Sequence, residues 1–218
     1  TRRAQRLPEQ QGRFFNGNDL QRVQLFAIAK HSNPQQALAE LNTMLARAEK
    51  QPDNDERVAD ILYQRALVYA DKLRQPERAV ADLRRYLKLN PNSAGGMNAL
   101  GYTMLSQPSA DLDEAFGLIQ AAYQIEPESA AINDSMGWAY FKKGDPQAAL
   151  PYLQYAFEQY ADPEVAAHLG EVLWATGEHE QARAVFAKGL AGEGNMAVLR
   201  ETIKRLGVRL PAASNAKK

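Results

Sequence analysis

The stretch DSMGWAYFKKGDPQAALPYLQYAF, residues 134–157, holds two interior glycines and an alanine-rich second half, with no evident catalyst. Gly137 sits inside an apolar run, where a helical glycine costs roughly 1 kcal/mol relative to alanine. A residue with that cost is useful where two helices nearly touch, because axes about 8–10 Å apart need small side chains at the contact. Gly144 falls where a chain would turn and a positive φ is an advantage. Asp145 can cap a following helix through its carboxylate, and Pro146 suits the first helical turn, where the missing N–H loses no partner. The stretch therefore reads as helix, turn, helix, with Gly137 facing Ala149.

The same grammar recurs along the chain. Pro34/Ala37, Pro76/Ala79 and Pro146/Ala149 repeat a proline followed three residues later by alanine; Asn33 and Asp145 stand ready as caps. DLDEA (111–115) and EHEQA (178–182) occupy the same place without proline, so Ala37, Ala79, Ala115, Ala149 and Ala182 are spaced 42, 36, 34 and 33 residues apart. A second register runs through Ala66, Gly101, Gly137 and Gly170 at spacings of 35, 36 and 33, and Gly177 repeats the turn of Gly144. Such a period is the mark of a repeat architecture. The expected pairs are about 18–31 with 34–50, 56–73 with 76–89, 94–107 with 111–125, 130–143 with 146–159, and 163–176 with 179–190. A last helix at about 195–206 carries Met196, Leu199, Ile203 and Leu206 on one face and would cap the array. Residues 1–17 read as a polar segment or the remnant of an earlier helix, and 209–218 as a frayed tail. Pro151 falls about six residues into its helix and predicts a kink or a widened turn at Gln147–Pro151.

Composition sets the outer bounds. The chain has 218 residues, 45% apolar, with zero net charge and no cysteine, which excludes disulfides, thiol catalysis and cysteine metal sites. It has no apolar run of membrane-spanning length and no signal peptide, and its start at Thr1 reads as a processed or cut end. Charge is uneven. Between Ser109 and Glu180 thirteen acidic residues face only Lys142 and Lys143, whereas residues 1–108 hold sixteen basic and eleven acidic and 181–218 hold eight and two. An acidic middle between basic ends argues against nucleic acid and is open to two readings: solvated helix faces, or a surface for a basic partner. Enzyme motifs are missing. His31, His168 and His179 form no HExxH, and HLGE (168–171) offers His168 and Glu171 three apart, two ligands where a metal site needs more. His168 is therefore expected as a surface histidine beside a carboxylate. GEGN (192–195) lacks the GK[ST] of a phosphate loop. Neither a metal nor a cofactor is expected.

With these residues in view, the pattern resembles the tetratricopeptide repeat (TPR): a small pair in the first helix, a tyrosine, then alanine, an apolar residue and alanine in the second, then proline. Met136, Gly137, Tyr140, Gly144, Ala149, Leu153 and Ala156 carry it best. Leu100, Gly101, Ala115, Ile119, Ala122 and Pro127 precede them, with two extra residues around SQPSA. Leu169, Gly170, Gly177, Ala182 and Phe186 follow, and Ala66, Tyr69, Ala79, Leu83 and Pro91 mark the unit before. No unit has the usual early tryptophan, and 18–55 is degenerate. The resemblance implies an all-α superhelix of about five helix pairs and a capping helix, with four repeats over 56–190. It also implies a concave groove lined by the first helix of each pair. The family's inward positions fall on Asp60, Tyr63, Leu67, Asn98, Tyr102, Leu105, Asp134, Trp138, Phe141, Glu171 and Trp174. A protein or peptide partner is expected on Tyr63, Asn98, Tyr102, Asp134, Trp138, Phe141, Glu171 and Trp174, an aromatic stripe edged by carboxylates, while Tyr140 and Phe157 belong to the core. The Lys/Asn/Arg clamp that holds a C-terminal carboxylate in some TPR proteins is absent.

NALGYTM (98–104), INDSMGWAYFKKGD (132–145), AAHLGEVLWATGEHEQAR (166–183) and RETIKRLGV (200–208) resemble more closely the C-terminal half of a family of proteobacterial TPR lipoproteins. Those proteins are longer, held at the outer membrane by a lipidated N-terminal cysteine, and face the periplasm. One member is the adaptor of a carboxy-terminal processing protease, helping it to find cell-wall hydrolase substrates. The resemblance implies a periplasmic, non-enzymatic adaptor, tethered through an anchor this chain does not contain. The alternatives are a structural scaffold for envelope or exopolysaccharide machinery and, for location, the cytoplasm.

Overall fold

The computed structural model describes residues 17–30, 33–108 and 111–210. The readings made for residues 1–16 and 211–218, and for His31, lie outside the described residues. Among the described residues the chain is built from eleven α-helices with no strand: α1 (Gly17–Ala29), α2 (Pro34–Ala48), α3 (Asp55–Leu67), α4 (Pro76–Leu89), α5 (Ala94–Leu105), α6 (Leu112–Ile125), α7 (Ala130–Lys142), α8 (Pro146–Gln159), α9 (Pro163–Ala175), α10 (His179–Leu190) and α11 (Ala197–Arg205). They pack as five sequential hairpins, and α11 closes the array against α9 and α10, burying Leu199 and Thr202.

Each hairpin is nucleated by local chemistry. Asn33 accepts hydrogen bonds from the backbone N–H groups of Gln35 and Gln36, Asp111 from Asp113 and Glu114, and Asp145 from Ala148, so the orphan donors of three helix starts are satisfied by side chains. The hairpin turns at Gly144 and Gly177 are alike. Both glycines adopt φ +88°, and Asp145 N–H and Glu178 N–H reach back to the carbonyls of Tyr140 and Leu173.

The second helices present a small–large–small ridge: Ala115, Ile119 and Ala122 in α6, and Ala149, Leu153 and Ala156 in α8, all fully buried. The first helices meet this ridge through glycine. A Cβ on Gly137 would lie 2.5 Å from Leu153 Cγ and 2.9 Å from the Ala149 carbonyl oxygen. One on Gly101 would lie 2.6 Å from Ile119 Cγ1 and 2.8 Å from the Ala115 oxygen, and one on Gly170 would enter the Phe186 ring at 2.2 Å. The glycines expected at the helix–helix contact are therefore there because nothing larger fits. First helices also touch one another, α5 against α7 and α7 against α9, with no comparable contact between second helices. The first helices thus form the inner wall of the curve.

Two features depart from expectation. The widened turn predicted at Pro151 is absent, and α8 runs as an uninterrupted α-helix from Pro146 to Gln159. Pro151 and Gln147 are both exposed, so the carbonyl left without a donor faces water. A π segment appears instead at Val68–Lys72, continuing α3. Its cause is an extra residue: Ala66 and Ala79 are 13 apart, where Gly137 and Ala149, and Gly170 and Ala182, are 12 apart. A π turn absorbs one added residue within a helix. Arg74, at φ +51°, then makes the turn that Gly144 and Gly177 make elsewhere.

Gly137→Ala is expected to lose about 1–3 kcal/mol of unfolding free energy through overpacking against α8. Gly117→Ala, mid-α6 with nothing within 4 Å of its added Cβ, is expected to gain up to about 1 kcal/mol. Paired urea titrations check both signs.

Candidate functional site

Ring contacts join the expected aromatics of the inner wall in three groups, and the central one carries the most hydrogen bonds.

At the centre stands His168 of α9, 4% exposed, in a run whose neighbours Ala166, Ala167, Leu169 and Gly170 are buried as well. Its Nδ1 lies 2.9 and 3.0 Å from the two carboxylate oxygens of Asp134 on α7, and its Nε2 lies 3.3 Å from the Tyr102 hydroxyl on α5. Tyr102 donates its phenolic hydrogen to Glu164 Oε1 at 2.6 Å. The Trp138 ring stacks on the imidazole, with centroids 4.2 Å apart and planes at 19°, and leans on Phe141 at 5.4 Å. The Lys142 ammonium sits 5.9 Å from the Trp138 ring centre. His168 is thus not the surface histidine expected from sequence, and its partner is Asp134, one helix away, instead of Glu171 on the next turn. Burial decides the matter: a histidine inside an apolar helix face needs hydrogen-bond partners from across the packing interface.

Glu171, one turn along the same face of α9 from His168, accepts a hydrogen bond from the Arg205 guanidinium of α11 at 2.5 Å. Asn98, Tyr102, Asp134, Tyr160 and Glu164 line a neighbouring cavity of about 320 Å³. The Asn98 Oδ1 is buried there with no hydrogen-bond partner.

The second group is Tyr63 with Tyr86, ring centres 5.1 Å apart. Tyr63 and Asp60 also line a cavity of about 390 Å³ with Arg22, Leu25 and Phe26 of α1, and Phe26 is 55% exposed. Asp60 accepts from Arg22 Nε at 3.0 Å. The third group is Trp174, which packs on His179 with centroids 4.2 Å apart and lies under the Arg183 guanidinium at 5.4 Å. Leu105 is buried. Tyr140, read as core, packs on Tyr152 and Phe116 between hairpins, and Phe157 is buried.

The electrostatics follow from burial among carboxylates. The Tyr102 hydroxyl is held well above its ordinary value, first by burial, then by the charges of Glu164 and Asp134 and the hydrogen bond to Glu164. Burial alone would lower His168; the charge and hydrogen bond of Asp134, followed by Glu164 and Glu171, outweigh it and raise the imidazole above its usual value. Asp71, in the π segment, is raised first by burial and then by Glu164 across the concave side. Most carboxylates of the inner wall are therefore engaged within the fold. Among the described residues no group of three His, Asp or Glu is arranged to hold a metal ion, and no helix is long and apolar enough to cross a membrane.

Sequence reasoning missed His168, Glu164, Asp71 and Arg205 as parts of this wall. For His168 a signal existed: AAHLG places an ionisable group in a run of small and apolar residues with no basic neighbour.

Comparison with known proteins agrees with the geometry. Tetratricopeptide-repeat family models match residues 135–195 and residues 60–93. A TPR repeat-containing protein of Pseudomonas aeruginosa is 42% identical over 147 residues, which is 67% of this chain and 25% of that protein, so the chain spans about a quarter of its relative's length. Among solved structures, a thermophilic TPR protein of Thermus thermophilus superposes with TM-score 0.65 at 21% identity, covering 85% of this chain and 94% of that one. The PilF protein of Pseudomonas aeruginosa gives TM-score 0.61 at 22% identity, covering 88% and 85%. MamA of Desulfovibrio magneticus gives 0.58 at 23%, covering 82% and 96%. The chain carries TPR repeats, and its fold is an all-α TPR superhelix, an architecture that serves as a protein-interaction scaffold.

Asp134→Ala leaves the buried His168 without its carboxylate and is expected to cost about 3 kcal/mol or more. Arg205→Ala breaks an ion pair whose arginine is 54% exposed and is expected to cost under about 1 kcal/mol. Chemical denaturation of the two variants side by side tests the ranking.

Proposed function

We propose that the chain is a non-enzymatic adaptor that binds a polypeptide along the concave wall of α3, α5, α7 and α9 and delivers clients to a periplasmic carboxy-terminal processing protease. The observation that carries this reading is the setting of Trp138. Its neighbours Gly137 and Ala139 are buried, while its own ring stays partly open over a rigid His168–Asp134 base. An aromatic ring fixed from behind and accessible in front is the usual form of a binding hot spot, since little side-chain freedom is lost when a partner covers it. Phe141 extends the surface along the same helix, and Tyr63, Asn98, Tyr102, Asp134, Glu171 and Trp174 complete the proposed contact surface. Support for the client-delivery role, and for a location on the periplasmic side of the outer membrane, comes from the resemblance of the strings around Gly101, Gly137 and Gly170 to the lipoprotein adaptors. The acidic stretch between Ser109 and Glu180 favours partners bearing Lys or Arg, with association that weakens as salt rises.

The test is reconstitution with a purified carboxy-terminal processing protease and a cell-wall hydrolase substrate from the same bacterium. The chain is expected to bind one or both and to accelerate cleavage, and Trp138→Ala to weaken binding about 30-fold, equivalent to about 2 kcal/mol. A stable envelope complex with no change in proteolysis would replace client delivery with structural scaffolding. Hydrolysis by the chain alone, lost in a His168 variant, would overturn the non-enzymatic reading.

A further inference from the structure

Repeat hairpins ordinarily contact only their immediate neighbours. The His168 cluster breaks that rule. Tyr102 belongs to the third hairpin, Asp134 and Trp138 to the fourth, and His168 and Glu164 to the fifth, so the Tyr102–Glu164 bond joins hairpins three and five directly.

The proton inventory of this cluster is constrained by its geometry. The phenol keeps its hydrogen, since burial and the nearby carboxylates resist its ionisation, and it donates that hydrogen to Glu164 at 2.6 Å. Only lone pairs of the Tyr102 oxygen remain for His168 Nε2 at 3.3 Å, so the contact is attractive when Nε2 carries a hydrogen. Nδ1 faces both oxygens of Asp134, which accept. This set of partners is satisfied when both ring nitrogens donate, which is the imidazolium. A neutral ring would set Nε2 and the phenol oxygen lone pair to lone pair, or draw the phenolic hydrogen away from Glu164.

We propose that His168 is an imidazolium at neutral pH and acts as a pH-controlled positioning residue, tying hairpins three to five together and fixing Trp138 on the concave wall until it loses its proton. Its bearing on partner binding rests on the groove reading above; the clamp itself does not. The groups facing the ring are Asp134 from α7, Tyr102 from α5, and Glu164 and Glu171 from its own helix. Asp71 of the π segment acts on Tyr102, Arg205 of α11 is bound to Glu171, and the Lys142 ammonium lies 5.9 Å from the Trp138 ring centre. The charged ring also strengthens the Trp138 stack, since a cation is attracted to the face of an indole. The folded pKa lies above the ordinary histidine value. The stabilisation is therefore complete below about pH 6.5 and is lost as pH rises through the folded value, so the clamp opens on the alkaline side.

Nitrogen-15 NMR of histidine-labelled chain, with His168→Gln to identify the signal, reads the protonation state directly. Two protonated ring nitrogens at pH 7 are expected, with a titration midpoint above 6.5 that falls by one unit or more, a tenfold loss of proton affinity, in Asp134→Asn. In a Trp174→Phe background, Trp138 fluorescence is expected to change over the same pH range and to be flat there when His168→Gln is added. A neutral His168 at pH 7 in the wild-type chain, or Trp138 emission indifferent to its titration, overturns the proposal even if Asp134→Asn fails to fold. A titrating His168 in a chain whose partner ignores Trp138→Ala upholds the clamp and removes the groove.

Discussion

The structure depends on a close approach between the two helices of the third, fourth and fifth hairpins, where a first-helix backbone lies against an alanine carbonyl or a large side chain of the second. Gly101 and Gly137 meet the Ala115 and Ala149 oxygens, and Gly170 meets the Phe186 ring. That contact fixes more than a distance. It sets the rotation of α5, α7 and α9 about their own axes, and so decides which side chains look inward. With Gly137 turned to α8, Trp138, about 100° further round the helix, is directed to the wall, where its ring meets Phe141 at 5.4 Å. The fully buried ridges of α6 and α8 then face the hairpins, and the stack propagates by repetition of one joint.

How much of this could be read from the chain follows from which features are local. The glycine, alanine and proline spacings made the hairpins and their turns legible, because each of those residue types answers a backbone requirement at its own position. The π segment was less legible, although its cause was countable: one residue too many between Ala66 and Ala79. The widened turn expected at Pro151 did not form, and the reason is its surroundings. A proline inside a helix predicts a disturbance, but on an exposed face the freed carbonyl is solvated and the helix persists. The inner wall was legible only as a set of positions. That Tyr102, Asp134 and Trp138 converge on His168 depends on the curvature of the array, which brings together residues 34 and 66 apart in sequence.

The charge pattern looks different in three dimensions. Several exposed ion pairs cross from one hairpin to the next: Arg22 with Glu56 and Asp60, Arg85 with Glu49, Arg84 with Glu114, and Lys143 with Asp113. Pairs of this kind contribute little stability each, yet they recur at junctions where a shifted register would oppose the wrong groups. The partly buried bidentate pair of Arg65 with Asp82, both bonds 2.7 Å, does the same inside the second hairpin. Some of the acidic surplus between Ser109 and Glu180 is therefore structural, which narrows the carboxylates left for a basic partner.

A nearest-neighbour array is flexible in a particular way: small rotations at each joint add along its length, and the width of the concave side changes with little local cost. A direct bond between the third and fifth hairpins removes that freedom over the span that carries Trp138. The His168 cluster therefore does two things at once, giving one aromatic ring a rigid backing and holding the curvature of the wall that surrounds it. Both turn on a single proton, because among the described residues the side chains hydrogen-bonded to Asp134 and Glu164 here are His168 and a phenol, while Arg205 is bound to Glu171. A lysine in place of His168 would carry a charge but no flat face for Trp138 to stack on, and its single ammonium would not set two opposed donors towards α5 and α7. Histidine meets the geometric requirement, and its sensitivity to pH comes with it.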